Sequence, residues 1–168
     1  IECILRSVPE DTIFVATTGR ATRELHELRN LSGAGHNMDF LNVGAMGHAS
    51  SIANGIALGA KNRLVVCLDG DAAAIMHFGS LTTAGMLRLP NFLHVVLNNG
   101  AHESVGGQPS AAHKANLTGI AENVGYQTVG NAIETKEALQ DAVKTLLTTE
   151  GPAFIDARIR KGIRSDLP

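Results

Sequence analysis

Two short apolar runs constrain this chain more than any other feature. RLVVCL spans residues 63–68 and FLHVVL spans 92–97. Neither alternates polar with apolar residues, so a strand built from either must be covered on both faces. That demands helices on each side of a sheet. Residues 13–17 and 40–43 read as further short strands, and 126–129 and 153–159 as later ones. Helical patterns fall at 21–29, 48–59, 72–87, 117–124 and 136–147, the last with Leu139, Val143, Leu146 and Leu147 on one side. Pro90 stands beyond the third of these helices, and Gly151-Pro152 breaks the last. Strand and helix alternate throughout, which predicts an α/β fold: a doubly wound, mainly parallel sheet with helices on both faces.

Ligands of such sheets bind at the carboxyl ends of the strands. The segments that follow strands here are 17–20, 44–48, 69–73 and 98–108, and they are the Gly-, Asp- and Asn-rich ones. Gly70-Asp71 follows RLVVCL directly, beside the start of a helix. A helix N-terminus favours phosphate, whereas a bare carboxylate repels it. A divalent cation between them resolves the conflict, and Mg²⁺ commonly bridges carboxylates to phosphates. Asn98-Asn99 follows FLHVVL, so in a parallel sheet an Asn of this pair and Asp71 can share one ion. Taken singly, each feature has a bland reading: a helix N-cap for Asp71, an ordinary turn for Asn98-Asn99-Gly100, core packing for Met46. Their joint occurrence in order is what carries weight, because the bland readings do not require one another.

The composition excludes several function classes. The net charge is −2, with no block of like charges, so nucleic acid and membrane surfaces have no electrostatic footing as partners. The longest stretch free of Asp, Glu, Lys and Arg, residues 40–60, carries Asn42, His48, Ser50, Ser51 and Asn54 and is too polar to span a membrane. Cys3 and Cys67 form neither a disulfide framework nor a metal-binding pair, which fits a cytoplasmic protein. A length of 168 residues suits one domain, 1–168. The first residue is Ile rather than Met, which is read as a fragment or a processed product.

Three segments together resemble the thiamine diphosphate-dependent 2-oxoacid decarboxylases. The first is Gly70-Asp71 followed, 28 positions after Asp71, by Asn99 at the end of a strand. The second is Gly44-Ala45-Met46-Gly47 leading into a small-residue helix. The third, Asn98-Asn99-Gly100-Ala101-His102-Glu103-Ser104-Val105-Gly106-Gly107-Gln108-Pro109-Ser110, is similar to the phosphonopyruvate decarboxylase branch. The 17–25 segment and the Arg160-Lys161-Gly162…Arg164-Ser165-Asp166-Leu167 tail are similar as well, so the resemblance covers essentially the whole chain.

The resemblance implies thiamine diphosphate and Mg²⁺ as cofactors. The metal ligands would be Asp71, Asn99 and the carbonyl of Ala101. Thr18, Gly19, Gly70, Asp71, Ala72, Ala73 and Asn99 would flank the diphosphate, while Gly44 and Met46 would place the aminopyrimidine, with Met46 propping the cofactor in its bent shape. The implied substrate is a small anionic 2-oxoacid, 3-phosphonopyruvate, decarboxylated to phosphonoacetaldehyde, with sulfopyruvate as the alternative. His102 and His48 are the catalytic candidates, each with a solvated-loop alternative, and Arg20 and Arg23 either bind a phosphonate or line a solvated helix face.

The family's activating glutamate sits on a separate pyrimidine-binding domain, and none of the nine glutamates here matches it. The expected partners are therefore that domain, in the same chain or on another subunit, and further copies in a homo-oligomer. Two departures stand out: the family's usual Gly and Ser after the Asp are Ala72 and Ala73. Ala72 costs little at negative φ but would strain a positive one, and Ala73 removes a hydroxyl that would serve the diphosphate. These departures motivate a non-catalytic relic as another reading. An oxidoreductase subunit feeding iron–sulfur clusters is disfavoured by two scattered cysteines.

Overall fold

The computed structural model describes residues 1–162, so the Arg164–Leu167 part of the tail lies outside the described residues. In chain order the elements are α1 (Glu2–Leu5), β1 (Ile13–Ala16), α2 (Arg20–Ser32), β2 (Asp39–Leu41), α3 (Ala49–Gly59), β3 (Val65–Gly70), α4 (Asp71–Met76), α5 (Gly79–Leu87), β4 (Phe92–Asn98), β5 (Ala101–His102), β6 (Gln108–Pro109), α6 (Leu117–Asn123), α7 (Lys136–Leu146) and β7 (Ala153–Arg158). The main sheet has five strands in the order β2-β1-β3-β4-β7, and every pairing is parallel. β5 and β6 form a separate antiparallel pair.

The two apolar runs are β3 and β4, neighbours in register from Val65↔Phe92 to Gly70↔Leu97. Alternate side chains of the sheet enter two cores. Val15, Val65, Cys67, Phe92, Val96 and Phe154 pack against α3, α5 and α6. Phe14, Ala16, Val66, Leu68, Val95 and Ile155 pack against α1, α2 and α7. The fold is the predicted doubly wound α/β sheet with helices on both faces.

The chain runs outward from β1 to β2, then back across to β3, β4 and β7. Strand order therefore reverses between β1 and β3, and that reversal opens a crevice at their carboxyl ends. The edge strand β2 is tied to α2 by a two-pronged ion pair, in which Arg29 Nε and Nη2 both donate to Asp39 at 2.9–3.1 Å. At the opposite face, α5 meets the end of α6 backbone to backbone. A side chain on Gly85 would begin 1.6 Å from the Val124 carbonyl oxygen.

Three expected segments differ, and one short helix is unforeseen. The 72–87 pattern is two helices, because the chain leaves helical dihedrals at His77 (φ −129°, ψ 44°) just before Gly79, a poor helix former. The 126–129 strand is reduced to one bridge, Gln127 to Ala153. Thr128 Oγ1 accepts from the Gly130 N–H, and Gly130 takes φ 83°, so the chain turns away before a ladder can grow. The 98–110 loop contains the β5–β6 hairpin, closed through Gly106 and Gly107 at φ 116° and 75°. The single-turn α1 gives no periodicity to read, yet its Ile4 is fully buried.

Phe154 is fully buried, with edge contacts to His94 and Tyr126 at ring separations of 5.4 and 5.9 Å. Phe154→Ala is expected to lower the unfolding free energy by about 3–5 kcal/mol, read from urea denaturation. A loss below about 1 kcal/mol would mean that this core is not close-packed.

Candidate cofactor cleft

One cleft occupies the crevice between β1 and β3. β1 delivers Thr17 and Thr18, β3 delivers Asp69 and Gly70, α4 delivers Asp71, Ala72 and Ala73, and β4 delivers Leu97 with Asn99 just beyond it. Met46, Ala101, His102 and Glu103 complete much of the wall, with Arg20, Glu24 and Arg160 also on it. Of the residues singled out from sequence, Thr18, Met46, Gly70, Asp71, Ala72, Ala73, Asn99, Ala101 and His102 line this cleft. Gly19, Gly44 and His48 do not. Gly19 caps α2 at φ 101°, and His48 is exposed, its ring 4.2 Å from that of His77.

Asp71 is the first residue of α4 and is 3% exposed. Its carboxylate accepts a hydrogen bond from the Ser110 hydroxyl. Ser110 is 39 positions away in sequence and returns to the site through the β5–β6 hairpin, whose closing bond runs from Ser110 N–H to the Gly100 carbonyl at 2.9 Å. No local pattern foretells that contact. Asn99 is oriented from both ends: its Nδ2 donates to Glu103 at 3.0 Å, and its Oδ1 accepts from the Ala101 N–H at 3.1 Å. Glu103 thus fixes the carbonyl end of the amide as the end left to accept, and a carbonyl oxygen keeps a second lone pair for a cation.

Asn98, fully buried, braces the start of this loop. Its Nδ2 donates to Asp156 at 2.9 Å and its Oδ1 accepts from the Gly100 N–H at 3.1 Å. Burial pushes the Asp156 carboxyl up, while the Asn98 amide and the nearby Arg158 charge pull the other way. Under the cleft floor, Asp69 lies 3.3 Å from His94 Nε2 and accepts from the Gly70 N–H at 2.9 Å. Burial, reinforced by Asp69, raises the Cys67 thiol well above its ordinary range, so this sulfur is held neutral.

The two alanines sit without strain. Ala72 lies within α4, and the positive-φ non-glycine residues among those described are Ala45 and Arg88. The glycine that the family usually places there is not needed for backbone reasons. Ala73 is buried and brings no hydroxyl.

Residues 17–157 match the thiamine pyrophosphate enzyme, C-terminal TPP binding domain family. The chain belongs to the thiamine pyrophosphate enzymes. It is 38% identical to phosphonopyruvate decarboxylase of Streptomyces viridochromogenes over 96% of its own length and 39% of that protein. It is 33% identical to the beta subunit of sulfopyruvate decarboxylase of Methanothermobacter thermautotrophicus over all of this chain and 85% of that subunit. The solved thiamine diphosphate-dependent 4-hydroxybenzoylformate decarboxylase of Rhodococcus jostii RHA1 superposes with a TM-score of 0.73 at 21% identity, over 98% of this chain and 32% of that one, and shares the fold. The chain spans about two-fifths of the length of the phosphonopyruvate decarboxylases it matches.

In this thiamine pyrophosphate-binding domain the Met46 turn is the most constrained part of the wall. Ala45 is held at φ 29°, a conformation that costs a residue with a side chain about 1–3 kcal/mol. Gly47 has φ 85°, and a Cβ there would lie 2.5 Å from His77 Cδ2 and 2.9 Å from the Ala73 carbonyl oxygen. The side chain of His77 can move, but the α4 backbone cannot move cheaply. Gly47→Ala is therefore expected to lower the urea-unfolding free energy by about 1–3 kcal/mol, and His77→Ala is expected not to rescue it. An unchanged midpoint would show that the turn does not rest on α4.

Proposed function

We propose that this chain is the cofactor-anchoring domain of a thiamine diphosphate- and Mg²⁺-dependent decarboxylase that converts 3-phosphonopyruvate to phosphonoacetaldehyde and CO₂. The observation that carries the cofactor reading is the meeting of Asp71 and Asn99 on one cleft at the point where strand order reverses. The donors there are hard oxygens: the Asp71 carboxylate, the Asn99 amide oxygen and the Ala101 carbonyl, which suit Mg²⁺. Three carboxylates line the cleft, those of Glu24, Asp71 and Glu103, with that of Asp69 buried beneath, against the guanidinium groups of Arg20 and Arg160. A diphosphate meets net repulsion on such a surface unless a divalent cation comes with it.

When bound, thiamine diphosphate supplies the nucleophilic carbon and the electron sink that decarboxylation of a 2-oxoacid needs. The chain's own residues bind and orient. Asp71 and Asn99 hold the metal, Thr18 and the Gly70–Ala73 backbone flank the diphosphate, and Met46 props the organic rings. Gly19 and Gly44 act through the shape of the turns they sit in. His102, half-buried on the wall, is the group best placed to hold or pass a proton near an anionic substrate. Arg20 and Arg160, the two guanidinium groups on the wall, would meet the substrate's phosphonate, whereas Arg23 is not among the lining residues.

The cavity is about 220 Å³, below the roughly 300–1,000 Å³ of complete ligand pockets. A half-site suits an assembly in which a second domain, in the same polypeptide or on another subunit, brings the activating glutamate. Phosphonopyruvate is preferred because identity is higher to those decarboxylases, 38% against 33%. Sulfopyruvate is the second reading, supported by the 85% coverage of the beta subunit.

Side-by-side assays of the complete assembly on phosphonopyruvate, sulfopyruvate and pyruvate decide the substrate, with phosphonopyruvate expected to give the highest kcat/KM. The 168-residue chain alone is expected to turn over none of them. Calorimetry should show binding of thiamine diphosphate that requires Mg²⁺, and Asp71→Ala should abolish that Mg²⁺-dependent binding together with turnover. Full activity in Asp71→Ala would overturn the metal assignment.

A further inference from the structure

His48 stands outside the cleft, exposed at the N-cap of α3, yet its ring is bonded to the backbone of the turn that carries Met46. Its Nδ1 lies 3.2 Å from the Ala45 carbonyl oxygen and 3.2 Å from that of Met46. Both partners are acceptors, so Nδ1 carries the hydrogen and shares it between them. That assignment holds whether the ring is neutral or charged, since the charged ring also bears a hydrogen on Nδ1. The same Ala45 carbonyl accepts the His48 backbone N–H at 3.1 Å and, from the other side, Asn42 Nδ2 at 3.2 Å. Asn42 Oδ1 in turn accepts from the Gly44 N–H at 3.3 Å.

These bonds converge on the residue just before Met46, Ala45, whose backbone is strained at φ 29°. A conformation of that kind persists only where its surroundings over-determine it. Below the turn, Gly47 lies against the Ala73 carbonyl and the His77 ring, and His77 packs against His48. The turn is therefore held by Asn42, by His48 and by α4, the helix that begins with Asp71.

We propose that His48 is a positioning residue, whose Nδ1–H clamps the 44–47 turn in its strained form and so aims Met46 into the cleft. It acts through the turn and transfers no proton. The aiming role rests on the reading of the cleft as the cofactor site, whereas the clamp itself does not.

The two ring nitrogens can be mimicked separately. Asn places an amide nitrogen two bonds from Cβ, as Nδ1 is, and Gln places one three bonds away, as Nε2 is. In the complete assembly, hydrogen exchange at the amides of residues 44 and 48 reports on the turn, and titration with thiamine diphosphate and Mg²⁺ reports on the cleft. His48→Asn is expected to keep the exchange protection and to hold cofactor affinity within about twofold. His48→Gln is expected to lose the protection and to bind cofactor about two- to tenfold more weakly, with an unchanged Tm. Equal behaviour of the two variants in exchange overturns the clamp. Lost protection in His48→Gln at unchanged affinity overturns the aiming role. If the unsubstituted protein binds no thiamine diphosphate, the cofactor reading fails, while the exchange data still decide the clamp.

Discussion

The parallel pairing of β3 with β4 holds the rest of the structure in place. Six residues of each strand run in register, from Val65↔Phe92 to Gly70↔Leu97, and all but that last pair are buried. Beyond that line the two strands no longer pair with each other, although Asn98 still pairs with Arg158 of β7, and the residues that follow line the cleft: Asp71 at the start of α4, Asn99 at the start of the hairpin loop. A one-residue slip between the strands would turn each buried side chain toward the wrong face, so the register of the core also fixes the distance between the two cleft residues. β1 on the other side of β3 then sets the width of the crevice, because strand order reverses there.

The fold was legible because β3 and β4 state their burial without ambiguity, and because Gly, Pro and Asn mark the ends of elements. The cleft was legible to the extent that it sits on strand ends: Thr18, Gly70, Asp71 and Asn99 follow from where their strands stop. What escaped was long-range or strained. Ser110 reaches Asp71 only through a hairpin whose glycines leave no periodic trace. Asp69 reads as the first residue of the segment after an apolar strand, whereas it belongs to β3, and its pairing with His94 depends on the register of the neighbouring strand. His48 looks like a loop histidine beside a ligand segment, and only the direction of its ring separates a group that faces the cleft from one that braces the wall. The 126–129 segment has strand composition, yet one turn at Gly130 overrides it.

The two alanines after Asp71 have different physical meanings. At position 72 the helix has already begun, so the freedom of glycine has no use there. At position 73 the loss is chemical, one hydroxyl, and a hydrogen bond to a charged group such as a diphosphate contributes about 1.5–3 kcal/mol. The Asp71 carboxylate and the backbone of Ala101 on the cleft do not depend on that hydroxyl.

The bare contact at Gly85 has a long reach. Because no side chain separates α5 from the Val124 carbonyl, the end of α6 is seated directly on another helix backbone, and Tyr126 follows two residues later. Tyr126 faces Phe92, His94 and Phe154 at ring separations of 5.9–6.5 Å, and His94 rests on Asp69 at the cleft floor. These parts stack like machined spacers with no compliant layer between them. The level of the cleft floor is set by a glycine in the helical layer that covers the same face of the sheet, and the tolerance of the site is the summed tolerance of that stack.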